Sequence, residues 1–158
     1  KIASTSGSTN PIAGPYYNFT IPEPLGVIGI FAEQKPSLLG LVRGLAPVLA
    51  GGNTAVVVAS EKRPLPAITL SECFATSDVP AGVVNILTGS TNELIPWLAS
   101  HMEIDGLDIS GVDVKKDAEI KLAGTENLKR IHRFAQANSP HRILSFMEFK
   151  TVWHPIGI

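Results

Sequence analysis

One cysteine in 158 residues excludes an internal disulfide, so the fold rests on its core, and a reducing, cytoplasmic setting is expected. That residue, Cys73, lies in Leu70-Ser71-Glu72-Cys73-Phe74-Ala75, between apolar residues at helical spacing. A reactive thiol needs partial exposure and an electropositive neighbourhood to reach the thiolate. Cys73 is therefore expected as a small buried core residue, not a nucleophile. Charge of one sign is missing too: 13 basic against 14 acidic side chains leave a net charge of -1. The basic pairs, such as Lys115-Lys116 and Lys129-Arg130, are short and scattered, so no nucleic-acid partner is expected. Long apolar runs are absent, because Arg43, Gly51-Gly52-Asn53 and Glu61-Lys62-Arg63 interrupt the hydrophobic half. A membrane-spanning helix needs about 20 such residues, so no membrane partner is expected. His101, His132, His141 and His154 show no ligand spacing with a cysteine or paired carboxylates, and no metal is expected.

What is present reads as one compact α/β domain, long enough to bury roughly 70% of its unfolded surface. The first residue is Lys1 and Ser4 to Gly14 is rich in Ser, Thr, Gly and Pro, so residues 1–15 read as a flexible start or linker at the edge of a larger polypeptide. Tyr16-Tyr17-Asn18-Phe19-Thr20-Ile21 ends at Pro22 and suits a strand outside the central sheet, a flap arm over residues 16–23. Asn18-Phe19-Thr20 has glycosylation spacing but reads first as strand. Val27 to Phe31 and Ala55 to Val58 are short continuous apolar runs, as in strands buried on both faces of a parallel sheet. Between them Leu38, Leu41, Val42, Leu45 and Leu49 share one helical face, with Pro47 expected to bend or restart the helix. Gly51-Gly52 reads as a tight turn.

A helix over 65–76, a strand over 83–87, a helix opened by Ser90-Thr91-Asn92-Glu93, a strand over 106–110, a charged helix over 113–123 and a strand over 128–131 continue the alternation. Ser90 and Glu93 have capping-box spacing. Repeated strand-helix-strand units imply right-handed crossovers and a Rossmann-like doubly wound parallel sheet over residues 24–135. Residues 136–158 change character: Asn138-Ser139-Pro140 suggests a loop and helix start, His141 to Phe146 a short helix, and Glu148 to His154 a closing strand. In that strand Phe149, Thr151 and Trp153 alternate with Lys150, Val152 and His154, so one aromatic face is expected to be buried. Arm and closing strand either pair with a neighbouring sheet or fold back on one another as a small β-flap.

Glu23-Pro24-Leu25-Gly26-Val27, Leu45-Ala46-Pro47-Val48-Leu49-Ala50-Gly51-Gly52-Asn53-Thr54, Pro80-Ala81-Gly82-Val83-Val84-Asn85-Ile86-Leu87-Thr88-Gly89 and Asn127-Leu128-Lys129-Arg130 stand in order at nearly ungapped spacing. Together they resemble the aldehyde dehydrogenase superfamily over residues 16 to 131, and Phe146 to Val152 resembles its C-terminal oligomerisation strand. The resemblance implies an NAD(P)-binding oxidoreductase fold. The family's Leu-Glu-Leu-Gly-Gly segment with its general-base glutamate, and the catalytic domain with its cysteine, have no counterpart after Leu128 to Ile131, where His132-Arg133-Phe134 follows.

Other functional positions depart from the family as well. Its Pro-Trp-Asn segment, whose asparagine stabilises the oxyanion, aligns with Glu33-Gln34-Lys35, and a mobile ammonium is a poor substitute for a preorganised donor. The ribose-holding lysine aligns with Val58, although Ser60 and Glu61 are retained. The phosphate-binding Gly-Ser-Thr-x-x-Gly turn aligns with Gly111 to Lys116, where Asp113 repels a phosphate and Lys116 removes the second glycine. Ser60, Glu61, Gly89 and Gly111 are thus vestigial cofactor positions, with no catalytic residue and no cofactor expected.

The overall likeness is to the second, non-catalytic half of two-module, family 16 type aldehyde dehydrogenases. The resemblance implies a pseudoenzyme module acting in oligomerisation, or in docking to a catalytic aldehyde dehydrogenase module, through Glu148, Phe149, Lys150, Thr151, Val152, Trp153 and His154. The alternative is an NAD(P)-binding part whose catalytic half comes from another chain, for which Gly26, Ser60, Glu61, Gly89 and Gly111 speak and against which Val58, Asp113 and Lys116 stand.

Overall fold

The computed structural model describes residues 7–135 and 139–157. In chain order its strands are β1 (Ser8–Thr9), β2 (Tyr16–Pro24), β3 (Val27–Phe31), β4 (Thr54–Val58), β5 (Val84–Leu87), β6 (Gly106–Asp108), β7 (Arg130–His132) and β8 (Met147–Pro155). Its helices are α1 (Ser37–Ala50), α2 (Leu65–Ala75), α3 (Thr91–Ser100), α4 (Asp117–Ala123) and α5 (His141–Leu144), with 3₁₀ turns at Val114–Lys116 and Gly124–Asn127. A parallel sheet takes the order β5-β4-β3-β6-β7, and a separate antiparallel sheet the order β1-β2-β8.

The continuous apolar runs behave as buried parallel strands should. Ile28, Ile30, Ala55 and Val57 face one layer with Leu41, Leu45 and Val48 of α1, Ala67 of α2 and Phe146. Phe31 and Val58 face the other with Ile95, Leu98 and Ala99 of α3 and Ile120 of α4.

The buried face of α1 is Gly40, Leu41, Gly44, Leu45 and Val48, with Leu38 and Val42 left exposed. This corrects the expected stripe, and the glycines explain it. A Cβ on Gly44 would stand 2.7 Å from Ile30 Cγ2, and one on Gly40 2.7 Å from Glu33 Cβ. The helix turns its smallest residues to the sheet to approach closely. Pro47 does not restart α1, which is one continuous helix from Ser37 to Ala50. It sits in the last turn and removes one helical bond, that to the Arg43 carbonyl.

Cys73 is exposed, contrary to expectation. Ala67, Leu70 and Phe74 take the core side of α2, and a residue next to Phe74 is turned about 100° away from it around the helix. The capping box at α3 does not form, since Ser90 makes no side-chain cap bond.

β2 and β8 pair antiparallel along all nine residues, from Tyr16↔Pro155 to Pro24↔Met147. The two strands thus fold back on one another, and the stretch read as a linker supplies β1, where Ser8 and Thr9 pair with Thr20 and Phe19. Residues 1–6 and Asn138 lie outside the described residues. Asn18 is buried and takes a 2.5 Å hydrogen bond from Asn10 Nδ2, a strand residue and no accessible glycosylation acceptor. The aromatic face of β8 is not buried as expected. Phe149 and Trp153 remain exposed, Trp153 touching only Tyr16 among the rings, edge-on at 6.0 Å.

Candidate functional site

In an open α/β sheet ligands bind beyond the carboxyl ends of the strands, so the ends of β3, β4, β5 and β6 are the place to look. After β4, Ser60 is buried and its hydroxyl donates to the Gln34 carbonyl at 3.1 Å and to Gln34 Oε1 at 3.2 Å. The same Oε1 accepts from the Glu61 amide at 3.0 Å. Gln34 therefore ties the loop after β3 to the loop after β4. Lys35 is exposed beside it. Glu61 turns its carboxylate onto the start of α3, where Oε2 accepts from the Thr91 amide at 3.0 Å. A carboxylate at a helix N-terminus is favoured by the orphan amides and the dipole. That contact serves the start of α3 in place of the expected capping box.

The turn after β6 is filled by its own atoms. Gly111 is wedged against β3: its amide donates to the Phe31 carbonyl at 3.0 Å, and a Cβ would collide with the Phe31 and Ala32 carbonyls. Glycine there answers to strand packing, not to a phosphate. Val112 is buried, and its amide is bonded to the Ile109 carbonyl at 3.1 Å. Asp113 caps the 3₁₀ turn, accepting from the Lys115 amide at 3.0 Å, while Lys116 Nζ pairs with Glu119 at 2.7 Å. An acidic side chain thus holds an amide that an anion-binding turn would offer to phosphate. Gly89, at φ +154°, shapes the entry to α3 with backbone that L side chains rarely adopt. Ser60, Glu61, Gly89 and Gly111 are all found around the strand ends, each with a structural task.

Beside this region stands a cluster that no sequence pattern announced. Arg142 of α5 reaches the buried carboxylate of Asp108 at the end of β6, Nη2 to Oδ2 3.0 Å, with both side chains nearly inaccessible. Asp108 Oδ1 also accepts from the Ser110 amide at 2.9 Å. Phe134 lies over the guanidinium at 4.6 Å, and His132 packs between Phe134 at 5.6 Å and Phe146 at 5.5 Å. Burial, reinforced by His141 and opposed by Asp108, holds the His132 imidazole below its ordinary pKa. Arg133 grips Asp117 through Nη2 at 2.5 Å and Nε at 3.2 Å, which lowers that carboxyl. The pair Asp108–Arg142 is separated by 34 positions, so only the fold brings it together. Asn53 was also missed: its side chain joins the Gly26 amide at 2.9 Å to the Phe146 carbonyl at 2.9 Å, fixing the closing segment to the end of α1.

The aldehyde dehydrogenase family model matches residues 1–155. The chain belongs to the aldehyde dehydrogenase family. Retinal dehydrogenase 2 of Gallus gallus is 34% identical over 139 residues, 88% of this chain and 27% of that protein. Mitochondrial aldehyde dehydrogenase of Sus scrofa is also 34% identical over 139 residues, with the same shares of 88% and 27%. A structure from Burkholderia cenocepacia, described as a candidate aldehyde dehydrogenase, superposes with TM-score 0.78 at 30% identity over 84% of this chain and 27% of its own. An NAD+ complex of aldehyde dehydrogenase from Bacillus cereus superposes with TM-score 0.74 at 26% identity, over 82% of this chain and 26% of its own. The chain thus spans about 27% of the length of its curated relatives. It is a short aldehyde dehydrogenase-like module.

Among the described residues no group of three His, Cys, Asp or Glu side chains could hold a metal, and no helix is long and apolar enough to cross a membrane. Cys73 is a free thiol on the exposed side of α2. The flap has one more feature bearing on function. With the order β1-β2-β8, the outer edge of β8 is unpaired among the described residues. Arg130 anchors its base, donating to the Met147 carbonyl at 2.6 Å and lying 3.4 Å from Glu148. Lys150 meets Glu23 at 2.6 Å, and that carboxylate raises its pKa.

Proposed function

We propose that this chain is a non-catalytic aldehyde dehydrogenase module that docks through the outer edge of β8 onto the sheet of a second copy or of a catalytic aldehyde dehydrogenase module. The observation that carries the reading is that edge: a nine-residue strand with Phe149 and Trp153 exposed and one row of backbone donors and acceptors open. Such an edge is a template for strand addition, with main-chain bonds supplying affinity and alternate side chains supplying selectivity. The non-catalytic part of the reading is supported by the closed turn after β6 and by Glu61 being committed to α3.

A proline in β8 removes a ladder donor and is not tolerated in a paired strand. Thr151→Pro is therefore expected to lower the mass of the associated protein in light scattering while the parallel core stays folded. An unchanged mass in a folded Thr151→Pro protein would overturn docking through β8. The second reading, a cofactor-binding part completed by another chain, is favoured by Glu61 remaining at a strand end. It requires Glu61 to leave Thr91 and accept from a ribose hydroxyl.

A further inference from the structure

The segment that closes the parallel sheet is held by aromatic contact around one titratable ring. His132, the last residue of β7, stacks on Phe134 at 5.6 Å and 21° and meets the edge of Phe146 at 5.5 Å and 85°. Phe134 and Phe146 also touch, edge-on at 6.0 Å, so the three rings form one cluster. Phe146 carries this cluster into the core. It belongs to the layer of Ile28 and Leu41, and a Cβ on Gly106 would stand 3.0 Å from its ring.

The same residue tethers the flap. The Phe146 carbonyl accepts from Asn53 Nδ2 at 2.9 Å and from the Leu25 amide at 3.2 Å. One position on, the Met147 carbonyl at the start of β8 accepts from Arg130 Nη1 at 2.6 Å. Leu25 directly follows β2, so loosening Phe146 loosens the base of both long flap strands.

The surroundings of the His132 imidazole oppose a proton. Burial is the largest effect, and Arg130 on the same strand and His141 of α5 act on the ring in the same direction. Arg142, next to His141, already lays its guanidinium over Phe134 at 4.6 Å. The carboxylate that favours the charged ring, Asp108 of β6, is itself bonded to Arg142 and to the Ser110 amide. Glu148 of β8 is paired with Arg130, Asp117 with Arg133, and Arg43, the one charge on α1, with Glu33.

We infer that His132 and His141 form a pH-sensitive latch on residues 139–146. With His132 neutral the three rings close and the base of the flap is fixed. A proton on His132 draws the imidazole towards water and away from His141, and the segment lets go of the flap. In the released state His132 takes up protons as an ordinary histidine, with a pKa of about 6.5, so release is favoured as pH falls through that range. The latch concerns how the flap is held and not what β8 docks to, and its failure would leave the docking reading standing.

Hydrogen exchange in the intact chain, followed by NMR and corrected for the intrinsic rate at each pH, tests it. The Leu25 amide reports directly on the Phe146 carbonyl, and the Ser145 amide, bonded to the His141 carbonyl at 2.9 Å, reports on α5. The Ala32 amide, bonded to the Val58 carbonyl at 3.0 Å, reports on the parallel core. Between about pH 7.5 and about pH 5.5, protection at Leu25 and Ser145 should fall by up to about tenfold, through an opening easier than the one that exposes Ala32. His141→Asn should shrink the fall, and His132→Phe, which keeps a ring in the cluster, should abolish it. Leu25 and Ser145 amides that show no fall, or that exchange only at the rate of Ala32, would overturn the latch, because the segment would then open only with the whole fold. So would a fall of unchanged size in His141→Asn, or in a folded His132→Phe protein.

Discussion

In the parallel core, β3, β4 and β6 have neighbours on both sides, and both faces are covered by helices. In the flap, β8 has a neighbour on one side only, and most of its side chains are exposed. Both regions belong to a family whose relatives are more than three times as long as the matched region. They differ in what their own chain supplies. The core closes itself: α5 brings Arg142 to Asp108, Asn53 holds the closing segment, and Glu61 and Asp113 fill helix starts. The flap leaves an edge and aromatic rings for something else to cover.

The largest expected effect is in the core. Asp108→Ala leaves the buried Arg142 guanidinium without its carboxylate, and breaking a buried pair in this way costs about 3–5 kcal/mol. Denaturant unfolding should show the loss. A loss below about 1 kcal/mol would mean that α5 closes the sheet by apolar contact alone.

A second difference appears with pH. The folded state holds His132 below its ordinary pKa, so the unfolded chain binds more protons just below about pH 6.5. Stability is therefore full above that range and falls as pH drops through it towards the folded pKa. His132→Phe, which keeps a ring between Phe134 and Phe146, should flatten the fall in melting temperature between about pH 7 and pH 5. An unchanged slope would assign the effect to other groups. Asp117, lowered by Arg133, acts in the same direction but below about pH 4.

The smallest effect concerns the single thiol. Cys73→Ala is expected to change stability by no more than about 0.5 kcal/mol, as for an exposed site without partners. Had the thiol filled the core, the change would be larger.

The parallel strands were legible because burial on both faces leaves a local mark, a short continuous apolar run such as Val27 to Phe31. The face of α1 was less so: Gly40 and Gly44 carry no hydrophobicity, yet their missing side chains decide which way the helix turns. Cys73 was misplaced for a related reason, since adjacent positions on a helix point in different directions and spacing alone allows either. The departures from the family's pattern at Val58, Asp113 and Lys116 are legible in the sequence alone. That Glu61 caps α3 could not be read there, because its partner Thr91 lies 30 positions away. Asp108–Arg142 and Asn53–Phe146 were equally hidden, being pairs that exist only after folding. The choice between a flap folded back and one given to a partner depends on pairing energies that carry no sequence signal.

The most direct measurement is a calorimetric titration of the intact chain with NAD+. With Glu61 committed to the Thr91 amide and the turn after β6 filled by Val112 and Asp113, no saturable heat is expected up to about millimolar cofactor, a level where binding would correspond to only about -4 kcal/mol. A micromolar dissociation constant that weakens on Glu61→Ala would contradict the account and show that the core has kept a working cofactor site.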